Sequence, residues 1–134
     1  LGGSDPFVVW HDVDVAHVAA QAASARCLNN GQSCIAAKRF VVHADVHDAF
    51  VEAFVAAMRA KRVGDPRDDA TDVGPLVSPA ARDGVRTQLR ATLDAGAKLA
   101  VGALPPEHHV PWCPPTIVTH VPDGTPLADE ECFA

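Results

Sequence analysis

At 134 residues, with a formal net charge of −6, the chain is long enough for one domain with a modest core. Its acidic and basic residues are interleaved, which argues against nucleic acid or an anionic membrane surface as partner. No apolar run approaches the roughly 20 residues that span a bilayer. The four cysteines, Cys27, Cys34, Cys113 and Cys132, show neither Cys-x-x-Cys spacing nor a disulfide framework, and they read as reduced, cytosolic thiols.

Phe7-Val8-Val9-Trp10, following Pro6, is a short apolar run that predicts a buried strand. Asp12 or Asp14 is placed to cap a helix whose face carries Val15, Val18, Ala19 and Ala22. That helix should fray near Leu28, where a polar Asn-Asn-Gly turn begins. Arg39-Phe40-Val41-Val42 predicts a second strand. Asp45 is then expected to cap a helix with Val46, Phe50, Phe54 and Met58 along one stripe, stopped around Gly64-Asp65-Pro66. Ser78-Pro79 is a good helix start, with a hydroxyl cap and proline in the first turn. Val85, Leu89 and Leu93 follow at helical spacing, and Gly96 ends that element. Lys98-Leu99-Ala100-Val101 and Thr116-Ile117-Val118-Thr119 predict further strands. This alternation implies an α/β fold, a mostly parallel sheet flanked by helices. The proline-rich stretch from Pro105 to Pro115 reads as a surface loop.

Asn29-Asn30-Gly31-Gln32-Ser33-Cys34 places one thiol just after a polar, glycine-containing turn, between a helix pattern and a strand pattern. Such a turn lets a small molecule approach the backbone closely. Nearby Lys38 and Arg39 and free backbone N–H groups could favour a thiolate. The residues alone leave two readings open: a reactive nucleophile, or a free cysteine acting as a small hydrophobe.

The same stretch resembles the nucleophile loop of the NAD(P)-dependent aldehyde dehydrogenases. Leu1-Gly2-Gly3-Ser4-Asp5-Pro6, Gly64-Asp65-Pro66, Asp72-Val73-Gly74-Pro75-Leu76, Pro114-Pro115-Thr116 and Glu130-Glu131-Cys132-Phe133 fall in the order that family uses. The wording around Gly2 and Cys34 resembles the succinate-semialdehyde dehydrogenase branch most closely. The resemblance implies that residues 1–134 are a partial, cysteine-bearing catalytic domain without its nucleotide-binding domain. It implies Cys34 as the nucleophile, adding to an aldehyde to form a thiohemiacetal that loses hydride and becomes a thioester. The Cys34 N–H resembles one of the family's oxyanion donors. Glu131 matches the glutamate that holds the nicotinamide ribose hydroxyls, Phe133 the aromatic beside the nicotinamide, and Leu1 and Gly2 residues whose backbone lies next to that ring. The implied cofactor is NADP or NAD, the partner a small-molecule aldehyde, and the parent a cytoplasmic homo-oligomer. General base, second oxyanion donor and dinucleotide pocket would lie outside this chain, so it is expected to be inactive alone. The rival reading is a non-catalytic truncated relative serving as a folding or oligomerisation module.

Other residues carry plainer readings. Asn30 reads as a turn residue, and Cys27 as buried filler. Cys113 and Cys132 receive no role. Lys38 and Arg39 could receive a substrate carboxylate, but a solvated or structural ion pair is the plainer assignment. His108 and His109 are expected to point apart on a solvated loop without further ligands at useful spacing. His43 and His47 are read in the same way. No metal is implied.

Overall fold

A computed structural model describes residues 3–134. The Leu1 and Gly2 assignments lie outside the described residues. The chain opens with strand β1 (Pro6–Val9), then helix α1 (Val15–Cys27), then strand β2 (Arg39–Val42), which lies parallel to β1 with Phe7 opposite Phe40 and Val9 opposite Val42. Asp14 caps α1, its carboxylate accepting the His17 N–H at 3.1 Å. The helix faces the core with Ala19, Ala22 and Ala23, all buried. Small side chains there let α1 lie close to helix α2 (His47–Arg59). That helix contributes Phe50, Phe54 and Met58 to the same core. The Phe40 ring sits 4.7 Å from Phe54, and Phe54 5.4 Å from Phe50. Burying an aromatic cluster of this kind is the main local source of stability.

The start of α2 differs from the expected one. Asp45 does not cap the helix. It lies within a single 3-10 turn (Ala44–Val46), and the His43 ring accepts the Asp45 N–H instead. His43 also packs edge-on against Trp10 at 4.9 Å and against His11 at 5.1 Å.

Helix α3 (Pro79–Asp94) begins as expected, with the Ser78 hydroxyl accepting the Ala81 N–H at 3.1 Å. It ends at Gly96, whose φ of +110° suits glycine. Val85 and Leu89 are buried along its inner face. Strands β3 (Lys98–Val101) and β4 (Ile117–Thr119) follow, and a single turn, α4 (Pro126–Asp129), closes the chain. The parallel sheet is the β1–β2 pair; β3 and β4 pair antiparallel, with an irregularity between Leu99 and Val101. The molecule is therefore a partial α/β domain with helices packed on a short parallel sheet. No helix among the described residues is long and apolar enough to cross a membrane.

The proline-rich loop is not merely a surface loop. Pro105 is fully buried. Arg86 donates to its carbonyl at 2.9 Å, and Arg82 to the carbonyls of Pro106 and His108. Two arginines one helical turn apart on α3 strap the loop down. The rings of His108 and His109 lie 4.0 Å apart, so they do not point apart. The local hydrogen bond from the Val110 N–H to His108 Nδ1 holds one of them in place.

Candidate active site

The helix α1 ends where the backbone turns left-handed. Asn29, Asn30 and Gly31 have φ of +51°, +58° and +76°, a run that asparagine and glycine tolerate best. Each side chain of the turn is then used. Asn29 donates to the Gln32 carbonyl at 2.9 Å. The Asn30 amide accepts the Gly74 N–H at 2.9 Å and donates to Pro75 O at 3.4 Å. Gln32 accepts the Val77 N–H at 2.9 Å. Asn30 is thus a turn residue, as expected, and it also fastens the Asp72–Leu76 segment beneath the turn. Gly31 is buried, and any Cβ there would collide with the Ala134 backbone and the Arg26 guanidinium.

This bracing leaves Cys34 exposed. The other three thiols differ from it. Burial pushes the Cys113 thiol up to about 12, with Cys132 nearby adding to the rise. Burial likewise raises Cys132 and Cys27. Cys27 packs its sulfur 4.0 Å from the Met58 sulfur, as filler does. A thiol held protonated in a packed environment is a poor nucleophile. Of the four cysteines, only Cys34 stands open to an incoming electrophile.

Three separate stretches meet at this turn. The Glu131 carboxylate accepts the Gly3 N–H at 3.1 Å and lies 3.4 Å from the Lys38 ammonium. Lys38 in turn donates to the carbonyls of Ser33, Cys34 and Ala36. A Cβ built on Gly3 would sit 3.5 Å from the Cys34 carbonyl. Gly3, the cysteine turn and the Glu-Glu stretch are therefore neighbours in space, although residues 3 and 131 lie at opposite ends of the sequence.

Lys38 is neither solvated nor free for a substrate carboxylate: its side chain is 3 % exposed. Arg39 donates to Ser4 O at 2.7 Å and ties β2 to the start of β1. Both are structural contacts. Sequence reasoning missed Gln88, whose amide donates to the Glu130 carboxylate at 2.9 Å and to the Glu131 carbonyl at 3.2 Å. Its place on α3, one position before buried Leu89, was the available signal. Phe133 is 42 % exposed.

Glu131 fits a hydroxyl-bearing group. Among the described residues its contacts fall on one carboxylate oxygen, Oε1, and the side chain is 28 % exposed. The second oxygen is left as a charge-assisted acceptor.

Comparison with known proteins gives the family. The sequence profile described as "Aldehyde dehydrogenase family" matches residues 1–134. The chain is 49 % identical over 133 residues to a succinate-semialdehyde dehydrogenase [NADP(+)] of Mycolicibacterium paratuberculosis, covering 99 % of this chain and 28 % of that protein. It is 47 % identical to the Mycobacterium leprae protein of the same name, over 99 % of this chain and 29 % of the relative. Among solved structures, succinate-semialdehyde dehydrogenase from Burkholderia pseudomallei superposes with a TM-score of 0.93 at 34 % identity, covering 100 % of this chain and 28 % of that one. Lactaldehyde dehydrogenase from Escherichia coli superposes with a TM-score of 0.94 at 30 % identity, again over 100 % of this chain and 28 % of that one.

Proposed function

Because the chain belongs to the aldehyde dehydrogenase family, we propose that it is part of the cysteine-bearing catalytic domain of an enzyme oxidising an aldehyde to its carboxylic acid. The chain spans about 28 % of the length of the relatives it matches, and the nucleotide-binding domain is proposed to lie elsewhere in the protein. Succinate semialdehyde is the proposed substrate and NADP the proposed cofactor, with NAD as the alternative. Support comes from the names of relatives 47–49 % identical to it.

In this reading Cys34 Sγ forms a bond to the aldehyde carbon, and the carbonyl oxygen becomes an oxyanion. The Cys34 N–H, which has no acceptor among the described residues, is the proposed donor to that oxygen. Cys34 carries the substrate carbon as a thiohemiacetal and then as a thioester, which water releases as the acid. Glu131 would hold the ribose hydroxyls next to the nicotinamide and Phe133 would pack beside the ring; the cofactor, when bound, supplies the hydride acceptor. Leu1 and Gly2 are proposed to line the same ring with their backbone.

The observation that carries this reading is a single exposed thiol on a braced left-handed turn, tied through one lysine to a half-open carboxylate. Substituting Cys34→Ala in the full-length polypeptide that carries this chain tests it. Aldehyde-dependent NADPH or NADH formation should fall below detection, and retained turnover would refute the assignment. A second reading, a non-catalytic module that works by association, is favoured by one feature. Val8 and Val41, opposite each other on the parallel pair, are 61 % and 55 % exposed, next to a half-exposed Trp10. Light scattering separates the two: a monodisperse monomer with full activity leaves association no role.

A further inference from the structure

Resting on the nucleophile reading above, we propose that Lys38 is a positioning residue that aims the peptide groups flanking Cys34, and with them the oxyanion donor. Its ammonium has three protons and four acceptors at hand. Ser33 O lies at 3.0 Å, Cys34 O and Ala36 O each at 3.2 Å, and Glu131 Oε1 at 3.4 Å. With the side chain 3 % exposed, water cannot take the place of these partners. A desolvated ammonium is tolerated only when its protons are met and a counter-charge stands near. The turn is therefore wrapped around the cation, and the cation is anchored from outside by Glu131.

The consequence follows from the planarity of the peptide. In a trans peptide the C=O and N–H point in opposite directions, and no cis bond occurs among the described residues. Ser33 C=O shares its peptide plane with the Cys34 N–H, and Cys34 C=O shares its plane with the Ile35 N–H. Drawing both carbonyls onto the ammonium turns both N–H groups away from it. Neither N–H has an acceptor among the described residues, whereas the next one, Ala36 N–H, is spent on Ser33 O at 3.1 Å. An outward, unspent Cys34 N–H at an exposed thiol is what an oxygen gaining charge requires, and the Ile35 N–H beside it is left unspent by the same arrangement. Lys38 touches no reacting atom in this account; it acts by holding two carbonyls. Glu131 has a matching part, keeping the ammonium from rotating off the turn.

The test compares two reactions of the same sulfur in the full-length polypeptide. Acylation by p-nitrophenyl acetate passes through an oxyanion and needs the aimed N–H groups. Alkylation by iodoacetamide forms no oxyanion and reports only the reactivity and reach of the thiolate. Neither needs a cofactor, and their ratio cancels any change in thiolate fraction. Lys38→Met should lower the acylation-to-alkylation ratio at Cys34 by about a hundredfold, the scale of losing one oxyanion donor. Lys38→Arg, which keeps the charge but cannot place three short donors on one turn, should lower it about tenfold. It provides the same readout if the methionine variant does not fold. An unchanged ratio in the folded variant overturns the proposal, as does an equal loss of both reactions. If the unsubstituted polypeptide is not acylated at Cys34 at all, the nucleophile reading itself fails; normal acylation with an unchanged ratio removes only the role of Lys38.

Discussion

Two irregular segments, residues 28–38 and 102–116, are each held by a buried cation. In the first, Lys38 belongs to the segment it organises and gathers carbonyls from two to five residues before it. In the second, Arg82 and Arg86 reach in from α3 and pull distant carbonyls toward the helix. The outcomes are opposite. A turn folded around its own cation pushes the neighbouring side chains outward, leaving Cys34 exposed and Ile35 76 % exposed. A loop drawn down from outside sinks part of itself: Pro105 is buried and the Cys113 thiol is pushed up to about 12, while Pro106 to His109 stay exposed. The exposure of Cys34 is thus a product of local wiring and not a default of irregular chain.

The comparison can be broken most forcefully at Arg82. Arg82→Ala leaves the carbonyls of Pro106 and His108 without their donor and should cost about 1–3 kcal/mol in urea denaturation. Alkylation of Cys34 should be unaffected; a large change there would mean that the two segments are not independent. Asn30→Ala comes next. It removes the bonds to Gly74 N and Pro75 O and places a Cβ-bearing, non-asparagine residue at φ +58°. A loss of about 1–2 kcal/mol is expected, this time with altered Cys34 labelling, because the turn itself loosens.

Cys113 sharpens the contrast through pH. Its folded value, about 12, lies above the ordinary 9.0, so the folded state holds the proton longer than the unfolded state. That contribution to stability is fully present below pH 9 and is lost as pH rises from 9 toward 12. Thermal melts should therefore fall in that window, and Cys113→Ala should flatten the decline. The smallest effect lies outside both segments. Hydrogen bonds from Arg67 hold the exposed Asp65 carboxyl at about 2, below its ordinary 3.8. In Arg67→Ala an NMR titration should find the Asp65 carboxyl raised only part of the way toward the ordinary value, because the residue-67 N–H still donates to it, with Cys34 labelling unmoved.

Much of the scaffold could be read from residue patterns alone. The two parallel strands, the Asp14 and Ser78 caps and the Phe50-Phe54-Met58 stripe followed from short-range rules. The first strand, however, runs over Pro6–Val9 and is not the buried strand expected, since only Val9 is enclosed and Val8 and Trp10 stand exposed. The cap of α2 was misread because His43 and Asp45 both offer an acceptor, and a 3-10 turn shifts which one is used. The direction of β4 against β3 was hidden because a fifteen-residue connection, 102–116, allows either sense. At the site, the cysteine and its polar, glycine-containing turn were plain in the sequence; the left-handed backbone of Asn29 and Asn30 was not. Nor was the burial of Lys38, since a lysine immediately before the exposed Arg39 that opens β2 gives no periodic sign of being enclosed. Prolines likewise suggested a wet loop, because nothing local in the sequence marks Arg82 and Arg86 as its anchors.

The most direct check on the central claim is timed iodoacetamide labelling of the native full-length polypeptide, with peptide mapping of all four cysteines, run with and without succinate semialdehyde. Cys34 should be modified first, with Cys27, Cys113 and Cys132 far behind, and the aldehyde should protect it. A different cysteine reacting first, or Cys34 labelling at a rate the aldehyde does not touch, would contradict the account.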